Sequence, residues 1–251
     1  MTTRNRRVVE TGDGMVGNES AFVRQANAPL VPATPRGEAT RRRILDAAEH
    51  VFGEMGYYEA SVAEITRRAG VAQGTFYIYF HSKRETFVEL VEDIGERLRK
   101  TTTEAIQGAS NRLDAERRGF EAFLDFVYAH RRIYHIVEEA GRVAPEAARE
   151  YYRRISLGYE HGLAAAMEAG QIRQGEVEGL AYALMGIGHF MALRWIIWPG
   201  ELEAAHGERD GNGEESQSIV PESVFASVMD FIARGLAPTE PTPQAPVSAA
   251  E

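Results

Sequence analysis

Between Ser61 and Lys83 the chain reads SVAEITRRAGVAQGTFYIYFHSK, a run whose amide, hydroxyl, aromatic and cationic side chains are spaced for contact with a nucleic acid. On a helix beginning near Ala72, Phe76 and Phe80 stand four residues apart and share the face that must turn inward. The opposite face carries Gly74, Thr75 and Ile78, with Gln73 and Tyr77 on one flank and Tyr79 on the other. In a major groove Ile78 would meet thymine methyls, Gln73 an adenine edge, and Thr75 a base or a phosphate. Gly74 would let the backbone approach closely. A single exposed apolar residue is ordinary on a protein surface, so Ile78 gains its meaning from these neighbours. Lys83, one of two lysines in the chain with Lys100, opens the next helix, where a cation opposes the helix dipole. A phosphate shared between Lys83 and the free N–H groups of that first turn would account for it.

The elements that position these residues are legible in the same text. Ser61 and Glu64 form a capping box, as do Ser82 and Glu85. Val62, Ile65 and Ala69 fall on one side of a short helix, and Gly70 supplies the left-handed residue that closes it. Short helix, glycine turn, short helix is the helix-turn-helix plan. Ahead of it, Thr34-Pro35 offers an N-cap and a first-turn proline. The helix that follows places Ile44, Ala48, Val51, Phe52 and Met55 on one stripe and stops at Gly56.

The text RRRILDAAEHVFGEMGYYEASVAEITRRAGVAQGTFYIYFHSKRETFVELV, over about residues 38–90, resembles the DNA-binding domain of the tetracycline-repressor (TetR) family of bacterial regulators. The likeness runs through the Gly56-Tyr57 pair, the capped second helix and the G-V-x-x-G-T-x-Y-x-Y-F-x-S-K run. It covers about a fifth of the chain. The resemblance implies a homodimer in which Thr40, Ser61, Gln73, Gly74, Thr75, Tyr77, Tyr79 and Lys83 touch bases or phosphates. Ala72 and His81, at the two ends of helix three, are counted with Ile78 in the same DNA-facing set. Ala72 departs from the usual polar residue, so one cap is missing, and Ala60 stands where threonine is common.

The family's second part is helical, binds a small molecule and dimerises, which makes the expected fold class all-α: a three-helix DNA-binding domain followed by a helical effector-binding and dimerisation domain. Periodicity predicts helices near 113–130, over 133–137, from Ala144-Pro145 to Gly170, over 176–198 and over 221–235. Residues 200–219 read as an acidic loop. The expected divisions are a disordered arm over 1–34, the DNA-binding domain over 35–84, the effector domain over 85–236 and a disordered tail over 237–251. By resemblance, helices 176–198 and 221–235 form a four-helix interface with the partner's copies. Gly179, Gly186 and Gly188 weaken the first of these helices, and close helix approach is the reason to tolerate them. Candidate effector contacts are Tyr128, Tyr134, His135, Tyr159, His189, Arg194 and Trp195. Each is a polar or aromatic group in apolar surroundings, which a satisfied core also contains. A mostly apolar lining favours a hydrophobic effector, with a drug, an acyl thioester and a steroid-like molecule all open, and Arg194 would meet any carboxylate or phosphate on it.

Composition narrows the rest. The chain has 251 residues and no cysteine, excluding disulfides, thiolate metal sites and cysteine nucleophiles. There is no G-x-S-x-G, H-E-x-x-H or phosphate loop with G-K-S/T, and the seven histidines lack metal-like spacing, so no catalytic residue, metal or cofactor is expected. The net charge of −9 is uneven: 12 basic against 9 acidic residues in 1–84, 14 against 18 in 85–199, and 2 against 10 in 200–251. A basic start and an acidic remainder suit a chain that presents only its N-terminal part to phosphates. The start has no apolar run behind its arginines, and the run Leu180–Leu193 is too short to span a bilayer. The expectation is a cytoplasmic protein with no membrane partner, most simply a repressor released from a palindromic DNA operator by a small hydrophobic effector. An activator and an effector-free architectural dimer remain open on the sequence.

Overall fold

A computed structural model of the chain describes residues 34–198 and 220–238. The expected arm (with Arg4, Arg6 and Arg7), the loop over 200–219 and most of the tail lie outside the described residues. What is described is nine helices without a strand: α1 Pro35–Glu59, α2 Val62–Ala69, α3 Gln73–Tyr79, α4 Lys83–Ile106, α5 Arg112–Ala129, α6 Arg131–Val143, α7 Pro145–Glu168, α8 Val177–Ala192 and α9 Glu222–Leu236. A π turn, Leu193–Ile197, continues α8.

The first three helices form where their caps and apolar faces direct. Thr34 Oγ1 accepts from Gly37 N at 3.2 Å, with Pro35 in the first turn of α1. Gly56, at φ 74°, interrupts the helix with a backbone conformation that a side chain would strain. Met55 therefore misses the core and is 43% exposed, against expectation. The turn brings Tyr57 in instead, its ring centroid 5.8 Å from Phe52 and 5.1 Å from Phe87. Gly70, at φ 64°, ends α2. Ser61 Oγ accepts from Glu64 N at 3.2 Å. The reciprocal half of that box is not made, because the Glu64 carboxylate is held by Arg67 and Arg68. Glu85 likewise accepts from His81 N, one residue ahead of the Ser82 cap.

Two apolar cores result. The first joins α1–α4 to α6 and the start of α7 through residues such as Phe52, Phe76, Phe80, Phe87 and Ile136. The second joins α5, α7, α8 and α9 around Phe120, Leu163, Leu184, Met191 and Phe225. α6 is longer than the sequence predicts. Ile136 and Ala140 sit in the first core while Tyr134, from the same helix, packs in the second. Expected as a five-residue helix, it is the bridge between the two halves. A boundary at 84/85 falls in the first turn of α4, which runs on unbroken.

The end of α8 also differs from a regular helix reaching Trp198. Trp198 N donates to Leu193 O at 2.9 Å, the i to i+5 bond of a wide turn. α8 with this turn, Val177–Ile197, is 21 residues long with mean hydropathy 1.5, so length and composition alone would let it cross a bilayer. It serves the second core, where Ala181, Leu184, Met191 and Ala192 are buried. A Cβ on Gly188 would lie 3.4 Å from Phe123, an ordinary packing contact, so the core by itself does not demand glycine there. Gly186 meets nothing within 4 Å.

Candidate functional site

α3 is held by its inner face. Phe76 and Phe80 are fully buried, their ring centroids 5.6 Å apart. Burying two such rings removes enough apolar surface to fix a seven-residue helix that could not stand alone. The outer face is thereby presented to solvent: Gln73 and Gly74 are exposed, Tyr77 is 49% exposed and Ile78 60%. A Cβ on Gly74 would meet nothing within 4 Å, so internal packing does not require glycine there. Thr75 and Tyr79 are half-buried at the edges of this face. Ala72 is an N-cap without a side-chain hydrogen bond. Ser61 and His81 are exposed at the ends of the two-helix unit.

Lys83 is placed differently from the sequence reading. Its Nζ donates to Tyr57 O at 2.7 Å and Ala60 O at 2.8 Å, and lies 4.3 Å from the centre of the Tyr57 ring. The cation at the start of α4 completes the carbonyl end of α1, where its charge agrees with the helix dipole. No phosphate is needed to explain it.

The other cations of this half are mostly paired. Arg41 bonds Glu89, Arg42 bonds Asp93 at 2.6 Å, Arg68 bonds Glu54 at 2.6 Å, and Arg84 bonds Glu146. Two arginines hold the Glu64 carboxyl down at about 2, first through the Arg67 hydrogen bond and then through Arg68. Among the described residues before α4, Arg36 and Arg43 alone carry no ion pair. They share one face of α1 with Thr40, whose hydroxyl donates to Arg36 O at 2.9 Å. Sequence reasoning passed over both, although the i, i+4, i+7 spacing was visible.

A second feature lies in the other half. A cavity of about 390 Å³ runs between α4, α5, α6, α7 and α8. Its wall is largely apolar and aromatic, with Phe120, Phe123, Ile133, Tyr151 and Tyr152 prominent. Of the expected effector contacts, Tyr134, Tyr159 and His189 line it. Tyr134 Oη lies 2.7 Å from His189 Nδ1. Burial pushes the Tyr134 phenol well up, assisted by the Glu138 charge, and holds the His189 imidazole below its usual range.

The remaining four expected contacts are elsewhere. Tyr128 is 48% exposed under Arg131, whose guanidinium lies 4.5 Å from its ring. His135 is exposed one position past Tyr134, on the side of α6 away from the cavity. The wide turn after α8 leaves Arg194 exposed over Trp195, which lines a shallow groove beside α9. The sequence did not single out the cavity's buried ion pair. Glu116, 2% exposed, accepts from Arg112 Nε at 2.8 Å, and burial raises its carboxyl against the pull of Arg112. The i, i+4 spacing was visible, but a surface helix pair looks the same in sequence. No group of three or more His, Cys, Asp or Glu that could hold a metal occurs among the described residues.

Comparison with known proteins agrees with this geometry. Residues 44–90 match the family model described as bacterial regulatory proteins, tetR family. The chain is 43% identical over 67 residues to the HTH-type transcriptional regulator YdgC of Bacillus subtilis, covering 27% of this chain and 34% of that one. It is 31% identical over 105 residues to the HTH-type transcriptional activator FasR of Mycolicibacterium smegmatis, covering 42% and 48%. The chain thus spans a third to a half of these curated relatives, and the family-model match over 44–90 contains α2 and α3. Over the whole fold it is similar to the crystal structure of FadR from Bacillus subtilis in complex with stearoyl-CoA, with a TM-score of 0.62 and 19% identity, covering 78% of this chain and 98% of that one. That degree of identity speaks for the fold alone.

Proposed function

We propose that this chain, which belongs to the tetR family of bacterial regulatory proteins through residues 44–90, is a sequence-specific transcriptional regulator acting as a homodimer in the cytoplasm. The observation that carries the reading is the outer face of α3. Gln73, Gly74, Tyr77 and Ile78 are exposed on a helix whose placement is fixed by Phe76 and Phe80. Two such helices, one per subunit, would enter successive major grooves of a palindromic operator with half-sites one helical turn apart. Ser61, Thr75, Tyr79 and His81 flank the contact, and Arg36, Thr40 and Arg43 would reach phosphates. Lys83 supports this surface from behind rather than forming part of it.

The partner copy would cover α8 and α9. Phe190 is 65% exposed, Phe231 69% and Tyr182 44%. A groove lined by Ile187, Trp195, Val224 and Val228 adjoins Phe231. Only 39% of the apolar α8 window is buried within one subunit. Residues this large and apolar, exposed on the two helices that flank the groove, suit a second subunit. The cavity would hold a small hydrophobic effector, and α6, with one side in each core, would carry its presence to α1. A likeness in fold to a protein solved with stearoyl-CoA favours a long apolar effector. Repression relieved by that effector is the simplest scheme, and the activator relative supplies the second.

The test is a binding selection from genomic fragments, followed by titration of the enriched duplex. The reading expects a palindrome, bound with affinity that falls steeply with salt, and loses at least tenfold specificity in Gln73→Ala/Ile78→Ala. Absence of any enriched palindrome, together with unchanged binding by the double variant, would overturn it. Sedimentation of Phe231→Glu reads the interface, where a dimer unaffected by the charge places the contact elsewhere. A reporter gene downstream of the selected site decides between repression and activation.

A further inference from the structure

Arg99 is the outlying charge of the cavity. Its Nε is buried without a hydrogen-bond partner, and no ion pair or ring contact is made by its guanidinium among the described residues. The other buried, unbonded polar atoms of this kind belong to Arg41, Glu89, Asp93 and Arg97, all of which are in ion pairs between α1 and α4. Arg99 differs because it faces the ligand cavity rather than another helix.

The other titratable groups on the cavity wall have neighbours of their own, His130 with its ring centroid 4.8 Å from that of Phe126. Arg112 is bonded to Glu116, and Arg154 to Glu150 at 2.6 Å. His161 Nδ1 lies 2.7 Å from Leu157 O. Glu138 is exposed on α6 and lies close enough to bear on Tyr134 and His189. Arg99 itself is half-buried, so the cost falls on its Nε, a buried donor left without an acceptor that an anion in the cavity would complete. The space itself is elongated. Residues of α5 line it from Arg112 to Val127, about 22 Å of helix at the α-helical rise.

We propose that Arg99 is the anion-recognition residue of this cavity, and that the effector is an elongated apolar molecule with a single anionic head, a carboxylate or a phosphate, bonded to the Arg99 guanidinium. The proposal rests on the cavity being the effector site. A planar guanidinium offers two parallel N–H groups to either head, a geometry that an alcohol or an amine does not match. The apolar chain would lie along α5 past Phe120 and Phe123.

Direct binding to the full-length chain, without DNA, tests this apart from the regulatory reading. Sodium dodecanoate, dodecyl phosphate and 1-dodecanol are titrated by calorimetry below their micellar concentrations. At least one anion should bind tenfold or more tightly than the alcohol, as loss of a charge-assisted bond implies, and the tighter anion identifies the head group. Arg99→Gln should abolish that preference while leaving the alcohol unchanged, and Arg99→Lys should restore part of it. Thermal melting of each variant establishes that it is folded. Equal affinity for alcohol and anions, or a uniform loss in Arg99→Gln, overturns the assignment of Arg99 while the cavity stands. Absence of binding by all three probes overturns both.

Discussion

Lys83 separates two accounts of how the surface proposed to meet DNA is built. If its Nζ braces the end of α1, replacing it with methionine removes charge-assisted hydrogen bonds to Tyr57 O at 2.7 Å and Ala60 O at 2.8 Å while keeping the aliphatic stem. Hydrogen bonds to a charged group contribute about 1.5–3 kcal/mol. The lysine is only half-buried, so the lower end applies, and the Tyr57 ring 4.3 Å away adds about 0.5 kcal/mol. A net loss of about 2 kcal/mol corresponds to a fall in Tm of about 4–8 °C for a chain of this size. The carbonyls left behind can still reach water, which keeps the loss from growing larger. The assay pairs thermal melting with a salt series of DNA-binding titrations at 25 °C. The brace predicts a lower Tm and an unchanged slope of log affinity against log salt. A phosphate contact predicts the reverse, an unchanged Tm and a slope shallower by about 0.9 per subunit. That second outcome would refute the reasoning from the geometry of Lys83.

Two further outcomes follow from local chemistry. Ala72→Ser supplies the missing side-chain acceptor at the start of α3 and should raise stability by about 1 kcal/mol, seen as a Tm increase of about 2–4 °C; no increase would mean that the backbone at Ala72 does not suit a cap. His189 is held neutral by burial, with Glu138 opposing. Below about pH 6.5, the reference value for an unfolded histidine, the unfolded chain binds a proton that the folded chain refuses, so stability falls as pH drops through that window and is restored above it. His189→Asn should lose less stability than the parent chain between pH 7.5 and 5.5 in denaturant titrations, and equal losses would count against a buried neutral imidazole.

The N-terminal half was legible in the sequence because its determinants are local. Caps at Thr34, Ser61 and Ser82, the left-handed glycines and the Phe76/Phe80 spacing each act within one or two turns, and neighbouring residues suffice to read them. Lys83 shows the limit. Its position at a helix start was plain, but the carbonyls it completes lie more than twenty residues earlier. A bond of that range depends on how α4 docks against α1, which periodicity does not encode.

The cavity was legible only in part, for the same reason. Tyr134, Tyr159 and His189 were singled out as polar groups in apolar surroundings, but so were Tyr128, His135, Arg194 and Trp195, and sequence cannot say toward which neighbour a helix is rotated. One residue along α6 separates Tyr134, inside, from exposed His135. One wide turn after α8 carries Arg194 to the surface. Arg99 and Glu116 looked like ordinary surface charges until five helices closed around them. The sequence by itself determined the helices, their caps and the outward face of α3, since those follow from side-chain chemistry at short range. Tertiary structure alone decided which charges are paired, which are buried and which line the cavity, because charge and burial depend on what other helices bring near.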